Sequence, residues 1–181
     1  FFEIHRMSVF SPRSLDVDVV LDLMIHDLDI VLALTRGPLE ELRAAGVRIL
    51  SPKSDIANVR LQFTDGCIAN LTASRVSTEK VRKLRMFQPR QYISLDYARQ
   101  DLAIFSVGNE QRISFTQHPV VKNEPLQAQF EAFVQSVRSR RPPKLDGPGA
   151  RRTLALALEI VEKMEQHAQV VGRSLNPECP F

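Results

Sequence analysis

The chain has 181 residues, is 44% apolar and 25% charged, and carries a net charge of +3. That is one globular domain with a sizeable core, too mildly basic to argue for nucleic acid and without the run of about 18 apolar residues that spans a membrane. Its seven glycines are scattered, at Gly37, Gly46, Gly66, Gly108, Gly147, Gly149 and Gly172, so neither a P-loop nor a strand–GxGxxG–helix unit can be assembled from them.

The chain opens Phe1-Phe2-Glu3-Ile4, without Met or a signal-peptide pattern. The expectation is a fragment or a processed chain. Phe2–Phe10 reads as a strand, broken by Ser11-Pro12-Arg13-Ser14. Asp16 or Asp18 can cap a helix running to about Leu34, and Arg36-Gly37-Pro38 ends it. Val59, Leu61 and Phe63 alternate with polar neighbours, Thr64-Asp65-Gly66 supplies a hairpin turn, and Cys67 to Arg75 returns as the partner strand. Leu84–Gln88, Tyr92–Tyr97 and Asp101–Val107 read as further strands, paired antiparallel because their connections are short. Leu126, Phe130, Phe133 and Val137 form one helical stripe behind Pro125. A second helix is expected from about Ala150 to Ala168, with Leu154, Ala157, Leu158 and Val161 inward. The tail from Gly172 to Phe181 is expected on the surface. The order strand, helix, sheet, two helices predicts an α+β domain over residues 1–181: an open, mostly antiparallel sheet with helices on one face.

The first helix carries the most informative residues. Asp22, His26 and Asp29 fall at i, i+4 and i+7 on one face of a strongly apolar segment. Burying carboxylates and an imidazole is costly unless they pair or do work. An aspartate one turn from a histidine can accept its N–H, which fixes the tautomer and makes the other nitrogen a candidate general base. A structural polar ladder fits the same spacing, with His26 a satisfied core residue. So does a metal site, although no further ligand is signalled.

The motif Asp22-Leu23-Met24-Ile25-His26-Asp27-Leu28-Asp29 resembles the D-x-x-x-H-x-x-D helix of the C-terminal domain in the glucose–fructose oxidoreductase / inositol dehydrogenase / rhizopine-catabolism family. Three further segments resemble that family in the same order. They are the Val59–Arg75 hairpin, Glu124-Pro125-Leu126 with Phe130-Glu131-Ala132-Phe133, and Pro142-Pro143-Lys144-Leu145-Asp146-Gly147 with Arg151 to Ala157. The run Asp16 to Leu32 is most similar to bacterial members acting on sugar nucleotides, such as UDP-N-acetylglucosamine 3-dehydrogenases.

The resemblance implies a dihydrodipicolinate-reductase-like C-terminal fold and an NAD- or NADP-dependent oxidoreductase of sugar or sugar-nucleotide hydroxyls. It also implies that the cofactor is held by an N-terminal Rossmann domain that this chain lacks, so that the chain alone is inactive. By the same carry-over His26 is the catalytic base and Asp22 orients the substrate or His26. Asp27, at a position the family varies, receives no role. His5 precedes Asp22 by about the separation seen in inositol dehydrogenases, whose first strand lines the pocket. His5, Arg13 and Asp29 are therefore candidate substrate ligands; a loop arginine's planar fork suits phosphate or carboxylate. A homodimer or homotetramer through the sheet face is expected. The alternative is a non-catalytic dimerisation or ligand-binding module with a structural Asp–His pair.

Other features read more plainly. Lys80, Arg82, Lys83, Arg85 and Arg90 alternate with apolar residues and read as a solvated strand face. Gly147-Pro148-Gly149 reads as a turn, and His118 and His167 as exposed. Cys67 and Cys179 make no disulfide framework and suit the cytoplasm.

Overall fold

Inward-facing residues recur at every second position in Phe2–Val9 (β1), where Phe2, Ile4 and Arg6 are buried and Glu3, His5 and Met7 face the other way. This is the two-residue period of a strand with one covered face. The computed structural model describes residues 1–12, 15–108 and 112–175. After β1 the Asp18 carboxylate accepts the Val20 N–H at 3.0 Å and starts a helix, as expected of a capping aspartate. Val20–Met24 forms a π-helical turn, closed by the Ile25 N–H on the Val20 carbonyl, and Ile25–Leu34 (α1) continues as α-helix. The Thr35 hydroxyl returns to the Val31 carbonyl at 2.9 Å, and the Asp65 carboxylate holds the N–H groups of Arg36 and Gly37 at 3.2 Å each.

Seven strands follow in two runs: Leu39–Val47 (β2), Ile56–Phe63 (β3) and Ile68–Ser77 (β4), then Val81–Gln88 (β5), Gln91–Asp96 (β6), Asp101–Val107 (β7) and Ile113–His118 (β8). They make one sheet in the order β2-β3-β4-β1-β5-β6-β7-β8. β1 runs parallel to β4, with Ile4 opposite Leu71, and the other neighbours are antiparallel. The β3–β4 turn places Gly66 at φ +81°, a left-handed conformation that glycine adopts without strain. Pro125–Ser139 (α2) and Gly147–Leu175 (α3) complete the chain. The core lies where α1 and α3 cover β2, β3, β4 and β1: Val20, Met24, Leu28 and Val31 meet Val59, Leu61, Leu71, Ile160 and Met164. Among the described residues no helix is long and apolar enough to cross a membrane.

The structure departs from the sequence reading in four places. Leu39-Glu40-Glu41-Leu42-Arg43-Ala44-Ala45 is built from helix-favouring residues, yet it is strand β2, because pairing Leu42 against Leu61 outweighs local propensity. β8 was not expected either. Gly147-Pro148-Gly149 is the first turn of α3 rather than a free turn, with the Asp146 carboxylate accepting the Gly149 N–H at 2.7 Å. The buried face of α3 is Thr153, Leu156, Ala157, Ile160 and Met164, while Leu154 and Leu158 are exposed.

Asp55 pins the loop between β2 and β3. It is fully buried and accepts N–H groups from Ile49 at 2.7 Å, Leu50 at 2.6 Å and Ser51 at 3.1 Å, plus the Ser51 hydroxyl at 2.7 Å. Burial pushes its pKa up, but the bonds from Leu50, Ile49 and Ser51 outweigh this and hold it at about 2, below the ordinary 3.8. The stabilisation is therefore complete above pH about 4 and lost as the pH falls through about 2. In a urea-unfolding series across that range, Asp55→Asn should flatten the acid limb that the parent shows.

Candidate active site

The polar residues of the first helix separate into three groups. Asp27 turns inward. Its Oδ2 and Oδ1 accept from Arg6 Nε and Nη2, both at 2.7 Å, in a two-pronged ion pair whose side chains are 3% and 11% exposed. Asp29 turns to α3, where its Oδ1 accepts from the Thr153 hydroxyl at 3.0 Å. Asp22, inside the π-helical turn, is half-buried, and His26, in the first turn of α1, is exposed. Among the described residues neither side chain has a hydrogen-bond partner, so the imidazole–carboxylate bond expected between them is not formed. π-helical turns within α-helices are frequent at functional sites. Here one contains the Asp22 carboxylate and lies directly ahead of the His26 imidazole, neither bonded among the described residues.

Around the ion pair the turn after β6 supplies Tyr97, whose phenol is pushed up to about 12 by burial and by the Asp27 charge, against the opposing pull of Arg6. Arg82, across from Arg6 in the β1–β5 pairing, is half-buried. The basic run is thus not one solvated face. Arg85 pairs with Glu3 at 3.1 Å and Lys83 approaches Asp96 at 3.9 Å, while Arg90 caps the Val107 and Gly108 carbonyls.

His5 is half-buried on the side of β1 opposite Arg6, across from Thr72 and Lys83. The structure joins it to neither Asp22 nor His26. Arg13 and Cys179 lie outside the described residues. Cys67 is a free, half-buried thiol raised by burial. His118 ends β8 and His167 lies in α3, both exposed. Among the described residues no three His, Cys, Asp or Glu side chains group to hold a metal ion, so Asp22, His26 and Asp29 do not converge. The Arg6–Asp27 pair was missed in the sequence. Its signal was Arg6 standing in phase with Phe2 and Ile4, on the buried side of the strand.

An exposed imidazole with a carboxylate one turn away can take a proton from a ligand while the carboxylate holds that ligand's other hydroxyls. The comparisons bear on whose chemistry this is. Residues 6–92 match the family described as GFO/IDH/MocA C-terminal domain. A UDP-N-acetylglucosamine 3-dehydrogenase from Acidithiobacillus ferrooxidans is 37% identical over 174 residues, 93% of this chain and 56% of that protein. A solved structure of an enzyme of that name from the same organism superposes with TM-score 0.83, covering 91% of this chain and 53% of its own. Levoglucosan dehydrogenase, solved in complex with NADH, shares the fold at TM-score 0.79 and 12% identity, over 91% of this chain and 56% of its own. The chain spans about half the length of the relatives it matches. It belongs to the GFO/IDH/MocA family, of which it carries the C-terminal domain.

Proposed function

We propose that this chain is the substrate-binding half of an NAD(P)-dependent oxidoreductase that oxidises a hydroxyl of a sugar or sugar nucleotide. The observation that carries the reading is the pair Asp22 and His26, left without partners among the described residues on a helix whose other polar residues are paired. The described residues do not fit a dinucleotide: the connection from β1 to the first helix contains no glycine where backbone would approach a pyrophosphate. The cofactor is then held by a separate Rossmann-type domain. Leu126, Phe130, Phe133 and Val137 on α2 are 62–73% exposed, and no residue of α2 is buried. An apolar stripe of that size calls for a neighbour, which such a domain supplies.

In this reading His26 takes the hydroxyl proton and Asp22 orients the sugar. The nicotinamide supplies the hydride acceptor. Arg13 is assigned to the substrate, as is the Asp29 Oδ2 left over from the Thr153 bond; His5, on the sheet face away from the helix that carries His26, is not. The half-buried free Cys67 suits a cytoplasmic setting. UDP-N-acetylglucosamine and free N-acetylglucosamine, each offered with NAD and with NADP to the longer polypeptide carrying this domain, test the proposal. Reduced cofactor is expected with the sugar nucleotide. No reduction with any sugar or sugar nucleotide would contradict it.

The open face of the sheet carries a row of rings across four strands. Phe87, Tyr92, Phe105 and Phe115 stand with centroids 4.8, 5.3 and 4.8 Å apart. We assign this face to self-association as a homodimer or homotetramer. Phe105→Asp should give a monomer by sedimentation velocity where the parent is an oligomer.

A further inference from the structure

β1, β5 and the turn that follows β6 set Arg6, Arg82 and Tyr97 next to one another. Arg82 lies directly opposite Arg6, and the Tyr97 N–H donates to the Arg82 carbonyl at 2.9 Å. Like charges directly opposite each other destabilise a strand pair. Arg6 is matched by Asp27 through its Nε and Nη2. Among the described residues no carboxylate lies within 4 Å of Arg82, and its Nε–H is shut from solvent without a partner. A buried donor left unbonded costs more than a typical hydrogen bond contributes. The row therefore carries one guanidinium charge too many and one donor too many. Both are resolved by an anion on the Nε and Nη edge of Arg82, the same edge by which Arg6 holds Asp27. The desolvated Tyr97 phenol marks the place as poorly hydrated, where such an ion is held more strongly than at an open surface. Asp27, which Arg6 holds, adjoins His26 in the helix, so the row is joined to the element that carries the candidate base.

We propose that Arg82 binds the anionic part of the substrate, a phosphate or diphosphate of the kind a sugar nucleotide carries. The inference rests on the proposed reaction, since it gives that site its substrate class. The Arg82 Nε–H resonance, assigned by its loss in Arg82→Gln, reports directly on the site. Titration of this chain with UDP should move it saturably. Arg82→Gln should weaken UDP binding at least about tenfold, with a melting temperature equal to or above the parent's, because an opposed charge has gone. Arg82→Lys, which keeps the charge but not the fork, should also weaken binding. It serves as the variant if Arg82→Gln does not fold. The proposal is overturned if UDP does not bind, if it binds the variants as tightly as the parent, or if it leaves the Nε–H unmoved. It is equally overturned if NADP moves the signal and UDP does not. Because these readouts involve no turnover, an Arg82-dependent UDP site in a protein without dehydrogenase activity would remove the reaction and keep the site. Activity with an unchanged KM in Arg82→Gln would do the reverse.

Discussion

If the proposed reaction holds, His26→Ala in the longer polypeptide carrying this domain should lower kcat/KM by about 10²–10⁴-fold, the usual contribution of a positioned general base. The loss should appear mainly in kcat, since a base acts on the proton that moves in the transition state rather than on ground-state binding. The melting temperature should not change, because the imidazole is exposed and no described residue bonds to it. This combination separates the catalytic reading from the structural one. A histidine satisfied in a core would lose stability when truncated and leave the rate alone in the surviving folded fraction. Asp22→Asn should have a smaller effect on kcat and raise KM, because the carboxylate orients the sugar instead of taking its proton.

The second large effect falls on stability. Asp27→Ala removes the carboxylate from a bidentate pair that is almost wholly buried. Breaking such a pair costs about 3–5 kcal/mol, because the remaining charge is left in the interior. Here the stranded group is Arg6, and it already faces Arg82 across the strand pair, so the upper part of that range is expected. For a domain of this size the melting temperature should fall by about 6–20 °C. The double variant Arg6→Met with Asp27→Leu should recover most of the loss, since removing both partners avoids the orphaned charge. Thermal unfolding followed by circular dichroism measures all three. If Asp27→Ala melts with the parent, the pair holds nothing together.

Most of the fold is legible where side-chain period and turn chemistry agree. β1, the Asp65-Gly66 hairpin, the capped first helix and the Pro125 helix were all readable from short stretches of sequence. β2 was not, because Glu, Leu and Ala carry helix propensity and nothing local announces the pairing with β3. The inward face of α3 was misread for a related reason. Leu154 and Leu158 have the apolar character of core residues but point outward, while Thr153 turns in to meet Asp29. At the site, the motif located Asp22 and His26. Spacing alone could not say which carboxylate would stay free. Asp27 and Asp29 are drawn off by Arg6 and Thr153, residues 21 and 124 positions away, and such long-range partners leave no mark on a helical period. Arg82 shows the same limit from the strand side: alternation assigns it a face, but only the pairing with β1 reveals that the face is already occupied by another arginine.

In the proposed reaction His26 meets the reacting hydroxyl. The decisive measurement is a crystal structure of the longer polypeptide carrying this domain, with NAD or NADP and a sugar nucleotide bound. In that complex a ring nitrogen of His26 should lie about 2.6–3.2 Å from the hydroxyl whose carbon faces the nicotinamide. A His26 turned to solvent in that complex, with another side chain on the hydroxyl, would contradict it.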